Sequence, residues 1–174
     1  MVFLVPAMMH SSIYDNIYST ATKFVLSTNP IASTTMPDLD AILSVRTPSC
    51  LVSYGPSSLL ENSPIANPMD NDQYLAHLCR ICPLLHTWRT EIKEIFVDEP
   101  KLSAIVRADH FMTLKGRDKP LKNDFMWLLT LTESGDKVER AVEFMDSVAS
   151  LKFMEELKAT AMQIQNGHYE TAAV

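Results

Sequence analysis

Hydrophobic positions along this chain recur at two different periods, and the change falls near its middle. In "SSIYDNIYSTATKFVLSTNP", Ile13, Ile17, Ala21, Phe24 and Val25 fall on one stripe at helical spacing, which predicts a first helix. Ser12 supplies an N-cap, and Asn29-Pro30 ends the run because proline disfavours helical geometry in the residue before it. "DLDAILSV" predicts a short second helix with Asp38 or Asp40 near its positive end. "PSCLVSYG" reads as a short strand closed by Gly55-Pro56, and "PSSLLENSPIANPM" has the turn formers of a loop. "DNDQYLAHLCRICPLL" gives a third helix, capped by Asp70 or Asn71, with Tyr74, Leu78 and Ile81 on one stripe and Pro83 at its end.

The second half alternates instead. "TWRTEIKEIFVDEP", "KLSAIVRADHFMTLKG", "KNDFMWLLTLTESGD" and "KVERAVEFMD" are strand-like runs separated by short turn sequences, so they predict antiparallel hairpins. After Asp146 the period returns to helical. Val148, Leu151, Met154 (or Glu155) and Leu157-Lys158 outline a last helix ending near Asn166-Gly167. The fold class expected is α+β, with helices segregated on one face of a twisted antiparallel sheet. The chain is expected to be one domain over residues 12–166, preceded by an apolar N-terminal extension (1–11) and followed by a loose tail (167–174).

Composition narrows the function classes. At 174 residues a single core can bury roughly two-thirds of the unfolded surface. A net charge of −6 argues against a nucleic-acid or anionic-membrane surface. No stretch is long and apolar enough to predict a membrane span, and the apolar opening "MVFLVPAMMH" lacks a basic leader. Three cysteines do not suggest a disulfide framework, so a reducing, cytoplasmic location is expected. With four glycines, a phosphate-cradling loop is not expected. Cys79-Arg-Ile-Cys82 has dithiol spacing but no second pair of ligands, and it reads as helix-face cysteines.

What remains is a scatter of protic groups at strand positions: Tyr54, His86, His110, Asp124 and Asp146. Alternation places Val106, Ala108, His110 and Met112 on one side of their strand. The same count groups Asp124 with Met126 and Leu128, and Asp146 with Val142 and Phe144. Rows of this kind, facing the helices, would form an apolar concavity with acid–base groups at its rim. A carboxylate and a histidine so placed suit enolisation, dehydration or ring closure without a cofactor. Asp146 is equally well placed to cap the helix that follows.

The run "NDFMWLLTLTESGDKVERAVEFMDSVASLKFM" resembles the nuclear-transport-factor-2-like fold, which includes the SnoaL-like polyketide cyclases and scytalone dehydratase. "RTPSCLVSYGPSSL" and "MDNDQYLAHLCRICPLL" resemble small fungal natural-product isomerases and cyclases, including meroterpenoid isomerases. The resemblance covers roughly residues 12 to 160. It implies a cone-shaped, cystatin-like α+β barrel in which three N-terminal helices pack on a strongly curved antiparallel sheet, with a C-terminal helix. The implied activity is that of a cofactor-independent isomerase, cyclase or dehydratase acting on a hydrophobic, polycyclic secondary metabolite. By resemblance Asp146 would be the base, assisted by His110 or Asp124. Tyr54, His86, Met126 and Phe144 would contact substrate, Asp124 standing where scytalone dehydratase has an asparagine. The helix-one aspartate of that dehydratase has no counterpart; Ser27, Thr28 and Asn29 occupy the region. No metal and no cofactor are implied. A homodimer through the open sheet face is expected, with Ile105, Phe125, Trp127 and Leu129 as contacts. The rival expectations are a non-catalytic dimeric scaffold, whose core side chains would fill, and a carrier for a hydrophobic ligand.

Overall fold

The computed structural model describes residues 11–31, 34–61, 63 and 65–166. The expected N-terminal extension (apart from Ser11), Gly167 and the expected tail lie outside them. Four helices and five strands follow in the order α1 (Ser12–Leu26), α2 (Leu39–Ser44), β1 (Arg46–Gly55), α3 (Asn71–Ile81), β2 (Leu85–Asp98), β3 (Ser103–Leu114), β4 (Leu121–Leu131), β5 (Val138–Met145) and α4 (Ser147–Gln165). Each helix start has a capping side chain. Ser11, one residue before the expected Ser12, accepts from the Tyr14 amide, and Asp38 accepts from that of Ala41. Asp70 and Gln73 form a reciprocal capping box at α3.

The sheet order is β1-β5-β4-β3-β2. The β2–β5 meander is antiparallel, as its turns predict, but β1 joins β5 in parallel, so the sheet is mixed where a purely antiparallel one was expected. Hairpin turns specify only neighbours in sequence. The β1–β5 pair forms across more than eighty intervening residues (Tyr54 opposite Glu143), and no local turn encodes it. Helices α1, α3 and α4 pack on one face of this sheet. Ile17, Phe24, Tyr74, Leu78, Phe125 and Trp127 join the main core. Leu85, Met112 and Leu114 form a second, smaller cluster with Phe153 and Leu157 of α4.

Two strand faces are opposite to expectation. On β4 the row Asn123, Phe125, Trp127, Leu129 and Leu131 is buried, while Met126 and Leu128 are exposed. Both rows of β4 are apolar at mid-strand, so polarity alone does not choose the inner one; the larger aromatic row takes the core. On β5 the cause is a register shift. Leu131 pairs with Val138 but Thr130 pairs with Arg140, so Glu139 is an extra residue that resets the alternation. Val138, Ala141 and Glu143 therefore face inward, and Val142 and Phe144 outward. On α4 only the second half of the expected stripe holds: Val148 and Leu151 are exposed, while Met154, Leu157 and Lys158 line the cavity under the helix together with Ser150 and Phe153.

The β4–β5 turn is fastened to α1, with Asn16 Nδ2 donating to the Ser134 carbonyl at 2.9 Å. Gly135 in this turn has φ +70°, and a Cβ there would lie 2.9 Å from Ile17 Cγ1. Gly135→Ala is therefore expected to cost about 1–3 kcal/mol of unfolding free energy, read as a lower urea midpoint at unchanged m-value.

Candidate active site

Between the sheet and helices α3 and α4 lies a cavity of about 570 Å³, walled largely by apolar side chains. Into it project Tyr54 from β1, Tyr74 and His77 from α3, Trp88 from β2, His110 from β3, Asn123 from β4, Glu143 from β5 and Ser150 from α4. Such an enclosure with a few convergent polar groups is the usual form of a small-molecule site.

His110, in the cavity wall, is held by Trp88, Thr90 and Phe125. Its ring stacks on Phe125, with centroids 3.8 Å apart and planes 15° from parallel, and is only 8% exposed. Trp88 Nε1 donates to His110 Nδ1 at 3.2 Å, and Thr90 Oγ1 lies 2.8 Å from the same nitrogen. An indole N–H only donates, so Nδ1 accepts and a neutral ring carries its proton on Nε2. Nε2 faces Glu143 Oε1 at 3.7 Å, an ion-pair distance slightly too long for a hydrogen bond. Thr90 is itself fixed from α1, its backbone amide donating to Asn29 Oδ1 at 2.7 Å.

Glu143 is the buried carboxylate of the site, 6% exposed and opposite Tyr54 in the β1–β5 register. Asn123 uses Nδ2 to donate to Ser150 Oγ at 2.9 Å, while its buried Oδ1 has no hydrogen-bond partner among the described residues. An unsatisfied buried amide oxygen is costly, and here it lies at a cavity wall where a ligand hydroxyl can donate to it.

No protein-family model and no curated relative matches the chain. Solved structures do. BvnE pinacolase from Penicillium brevicompactum superposes with a TM-score of 0.71 at 20% identity, covering 89% of this chain and 99% of that one. PrhC from Penicillium brasilianum gives 0.71 at 22%, covering 86% and 92%. TerC, crystallised with polyporic acid, gives 0.60 at 16%, covering 83% and 99%. Other matches are an NTF2-like protein from Burkholderia pseudomallei and a protein with a ketosteroid isomerase-like fold from Catenulispora acidiphila. The chain has the SnoaL-like, NTF2-like fold.

Within this NTF2-like fold, the residues expected from sequence divide sharply. Tyr54 and His110 line the cavity. His86 is exposed at the start of β2, away from the lining. Asp124, Met126 and Phe144 stand on the opposite face of the sheet, where Asp124 pairs with Arg107 (Oδ2 to Nη2, 2.7 Å). Asp146 is exposed and caps α4, accepting from the amides of Val148 at 2.8 Å and Ala149 at 3.2 Å. Neither aspartate reaches His110; the β5 bulge and the phase of β4 bring Glu143 and Asn123 there in their place. The first lies three residues before Asp146 and the second immediately before Asp124, so the right segments were in view with the wrong side facing in. Cys79 is exposed and Cys82 buried, both free, and burial pushes the Cys82 thiol up to about 11. Among the described residues no group of three or more His, Cys, Asp or Glu side chains could hold a metal ion, and no helix is long and apolar enough to cross a membrane.

Burial sets the protonation of the other cavity groups. It pushes the Tyr54 hydroxyl well above its ordinary value and Tyr74 up to about 12, so both phenols remain hydrogen-bond donors across the neutral range. Burial, with the Arg80 charge beside it, lowers His77 from 6.5 to about 4. The unfolded chain then binds a proton that the folded chain refuses, so His77 removes stability as pH falls from 6.5 toward 4. An NMR titration is expected to find the His77 ring neutral at pH 5. For Asp146, substitution by Ala is expected to cost about 1 kcal/mol through the lost cap, and substitution by Asn much less, both read by urea denaturation.

Proposed function

We propose that this chain is a cofactor-independent acid–base enzyme, an isomerase, cyclase or dehydratase acting on a polyketide- or meroterpenoid-type metabolite. The observation that carries the reading is the convergence of Glu143, His110 and Tyr54 in one mostly apolar cavity, with Glu143 Oε1 3.7 Å from His110 Nε2. In this reading Glu143 takes a proton from a carbon beside a substrate carbonyl, and the electron pair of that C–H bond passes to the carbonyl oxygen. Tyr54, still protonated, donates a hydrogen bond to the resulting enolate, whose charge is better stabilised by a fixed donor in a dry site than by water. The Glu143 carboxyl then returns the proton it took, completing the reaction, while the His110 Nε2–H beside it steadies the carboxylate. Returning it to a different carbon isomerises the substrate, attack of the enolate on a second electrophilic carbon closes a ring, and loss of a β-hydroxyl as water dehydrates it. Apolar walls suit a polycyclic skeleton, and Asn123 Oδ1 suits a hydroxyl upon it.

Fold neighbours that include a pinacolase and a protein crystallised with polyporic acid support a small-molecule reaction over a scaffold role. An open cavity also weighs against the scaffold, whose core would be filled. The test is solvent deuterium incorporation next to carbonyl groups, followed by NMR over a panel of polyketide-derived and terpenoid ketones. Wild type is expected to exchange at least one panel member, and Glu143→Gln to lose about 10²–10⁴-fold. Asp146→Asn is expected to keep wild-type activity. Binding without exchange or turnover would make the protein a carrier, and equal activity of Glu143→Gln would remove Glu143 as the base.

We propose in addition a homodimer through the outer face of the sheet. Phe96, Ile105, Leu128 and Val142 are successive register partners across β2, β3, β4 and β5, and Met126 and Phe144 extend the patch. Of the four residues expected at such a contact, Ile105 is exposed, whereas Phe125, Trp127 and Leu129 belong to the core. Exposed apolar ladders of this kind favour a second protein surface over water. Sedimentation is expected to show a dimer at micromolar concentration and a monomer for Leu128→Glu.

A further inference from the structure

The inward row of β4 carries one polar side chain, Asn123, ahead of Phe125, Trp127, Leu129 and Leu131. It is 6% exposed, although asparagine is seldom found so deep. Opposite it α4 turns Ser150 inward, 4% exposed, while Val148 and Leu151 of the same helix face out. Two elements thus bring a polar group to one point, where Asn123 Nδ2 donates to Ser150 Oγ at 2.9 Å. That bond fastens the helix to the sheet, and a fastening needs no more. It leaves Asn123 Oδ1 buried with no partner among the described residues. An amide oxygen stripped of water costs stability unless another group bonds to it.

Both residues line the cavity, so the group that satisfies Oδ1 can arrive from it. The chemistry of the pair defines that group. Oδ1 only accepts, whereas Ser150 Oγ, having accepted the amide hydrogen, still has its own hydrogen to give. An open acceptor beside an open donor matches an atom that both gives and takes, which is a hydroxyl. A carbonyl or ether oxygen only takes, and would leave Oδ1 bare. Turning the amide over exchanges the two roles without changing the match: Oγ then gives its hydrogen to Oδ1, and Nδ2 becomes the open donor beside the Oγ lone pairs. Water can hold the place in an empty cavity, but an apolar ligand without a hydroxyl must expel it and replace neither bond. Asn123 is the register partner of His110, and His110 that of Thr90, so the three form one polar row across β4, β3 and β2. Side chains directly opposite on neighbouring strands stand about 4.5–5.5 Å apart at Cβ. A hydroxyl on Asn123 therefore lies beside the imidazole whose Nε2 faces Glu143.

We propose that Asn123 and Ser150 form a hydroxyl-selective subsite, and that the substrate is an apolar ketone carrying a hydroxyl, which this subsite holds against the β4–α4 wall beside His110. The ketone rests on the acid–base reaction proposed above. The hydroxyl rests on the unpartnered Oδ1 and stands without that reaction. Selection comes from the cost of the alternative: a site built around a hydrogen bond penalises an analogue lacking the partner far more than an apolar wall penalises a missing methylene. The two residues set which molecule is accepted and where it lies, and take no part in moving its proton.

The experiment measures dissociation constants, by calorimetry on the full chain, for 1-tetralone, its monohydroxy derivatives and their methyl ethers. Moving the hydroxyl around the ring system samples its distances from the carbonyl. At least one monohydroxy derivative is expected to bind about tenfold or more tightly than both 1-tetralone and its own methyl ether. In the double variant Asn123→Leu with Ser150→Ala, that derivative and 1-tetralone are expected to bind alike. Replacing both ends of a buried hydrogen bond by apolar groups costs little stability, so this protein is expected to fold. If it does not, Asn123→Val, whose β-branched side chain suits a strand, carries the same comparison. The proposal is overturned if no hydroxyl tightens binding to the wild type, or if the preference survives in the folded variant. Neither measurement needs turnover. A hydroxyl preference with no deuterium exchange at any ketone leaves the subsite standing and removes the reaction. Exchange without that preference leaves the reaction standing and removes the subsite.

Discussion

One extra residue at the start of β5 governs which side chains meet inside this cone. Because strand side chains alternate, an inserted position turns every later residue to the other face. With Glu139 taken up as that insertion, Ala141 and Glu143 point at the helices, and Val142 and Phe144 at the outside. Without it, Val142 and Phe144 would crowd the cavity and Glu143 would stand in water. The same shift lets Tyr54 of the parallel edge strand meet Glu143 in register and aligns Leu128, Ile105 and Phe96 with Val142 on the outer face. The inner site and the outer apolar ladder are thus two consequences of a single phase.

Once that phase is set, the site depends on withholding water from polar groups. Burial keeps the phenols of Tyr54 and Tyr74 protonated and His77 neutral, so these three contribute dipoles and not charges at neutral pH. His110 gains a fixed orientation from Trp88, Thr90 and Phe125. Asn29 extends that support by tying the end of α1 to Thr90. A restrained imidazole beside a buried carboxylate keeps one geometry, and under the proposed reaction that fixed orientation would contribute to rate.

The elements themselves were legible because each is announced locally. Ile17, Ala21, Phe24 and Val25 trace the buried stripe of α1, Asp70 the cap of α3, and the Gly135 turn the last hairpin. The row Val106, Ala108, His110 and Met112 was also readable, since β3 keeps its phase along that stretch. Three features were not. The parallel β1–β5 pair depends on a contact that no turn specifies. The β5 bulge has no glycine or other local mark in "KVERAVEFMD". The inner face of α4 closes over a cavity, so it carries Ser150 and Thr160 while Val148 and Leu151 face outward, inverting the usual rule. Asp124, Met126, Phe144 and Asp146, expected from phases that β4 and β5 do not keep, lie outside the cavity, whereas His110, on the row that β3 keeps, and Tyr54 line it.

The contrast between satisfied and unsatisfied polar groups is itself informative. Asp124 has its arginine, Asp146 its two helix amides, and Asp109 two lysines, so each is explained by the fold that holds it. Arg46, Asn123 Oδ1 and the long Glu143–His110 approach are not explained in this way. A chain selected for stability alone would place apolar groups at such positions, since buried polar atoms left unpaired cost more than they return. Asn123, Glu143 and His110 line one cavity and Arg46 stacks on Tyr74, another of its walls, whereas Thr47, Asn71 and Thr160 carry further unpartnered buried atoms and are not among its lining residues. A buried acceptor left open at a cavity wall, as Asn123 Oδ1 is, can be satisfied by a polar group that enters the cavity.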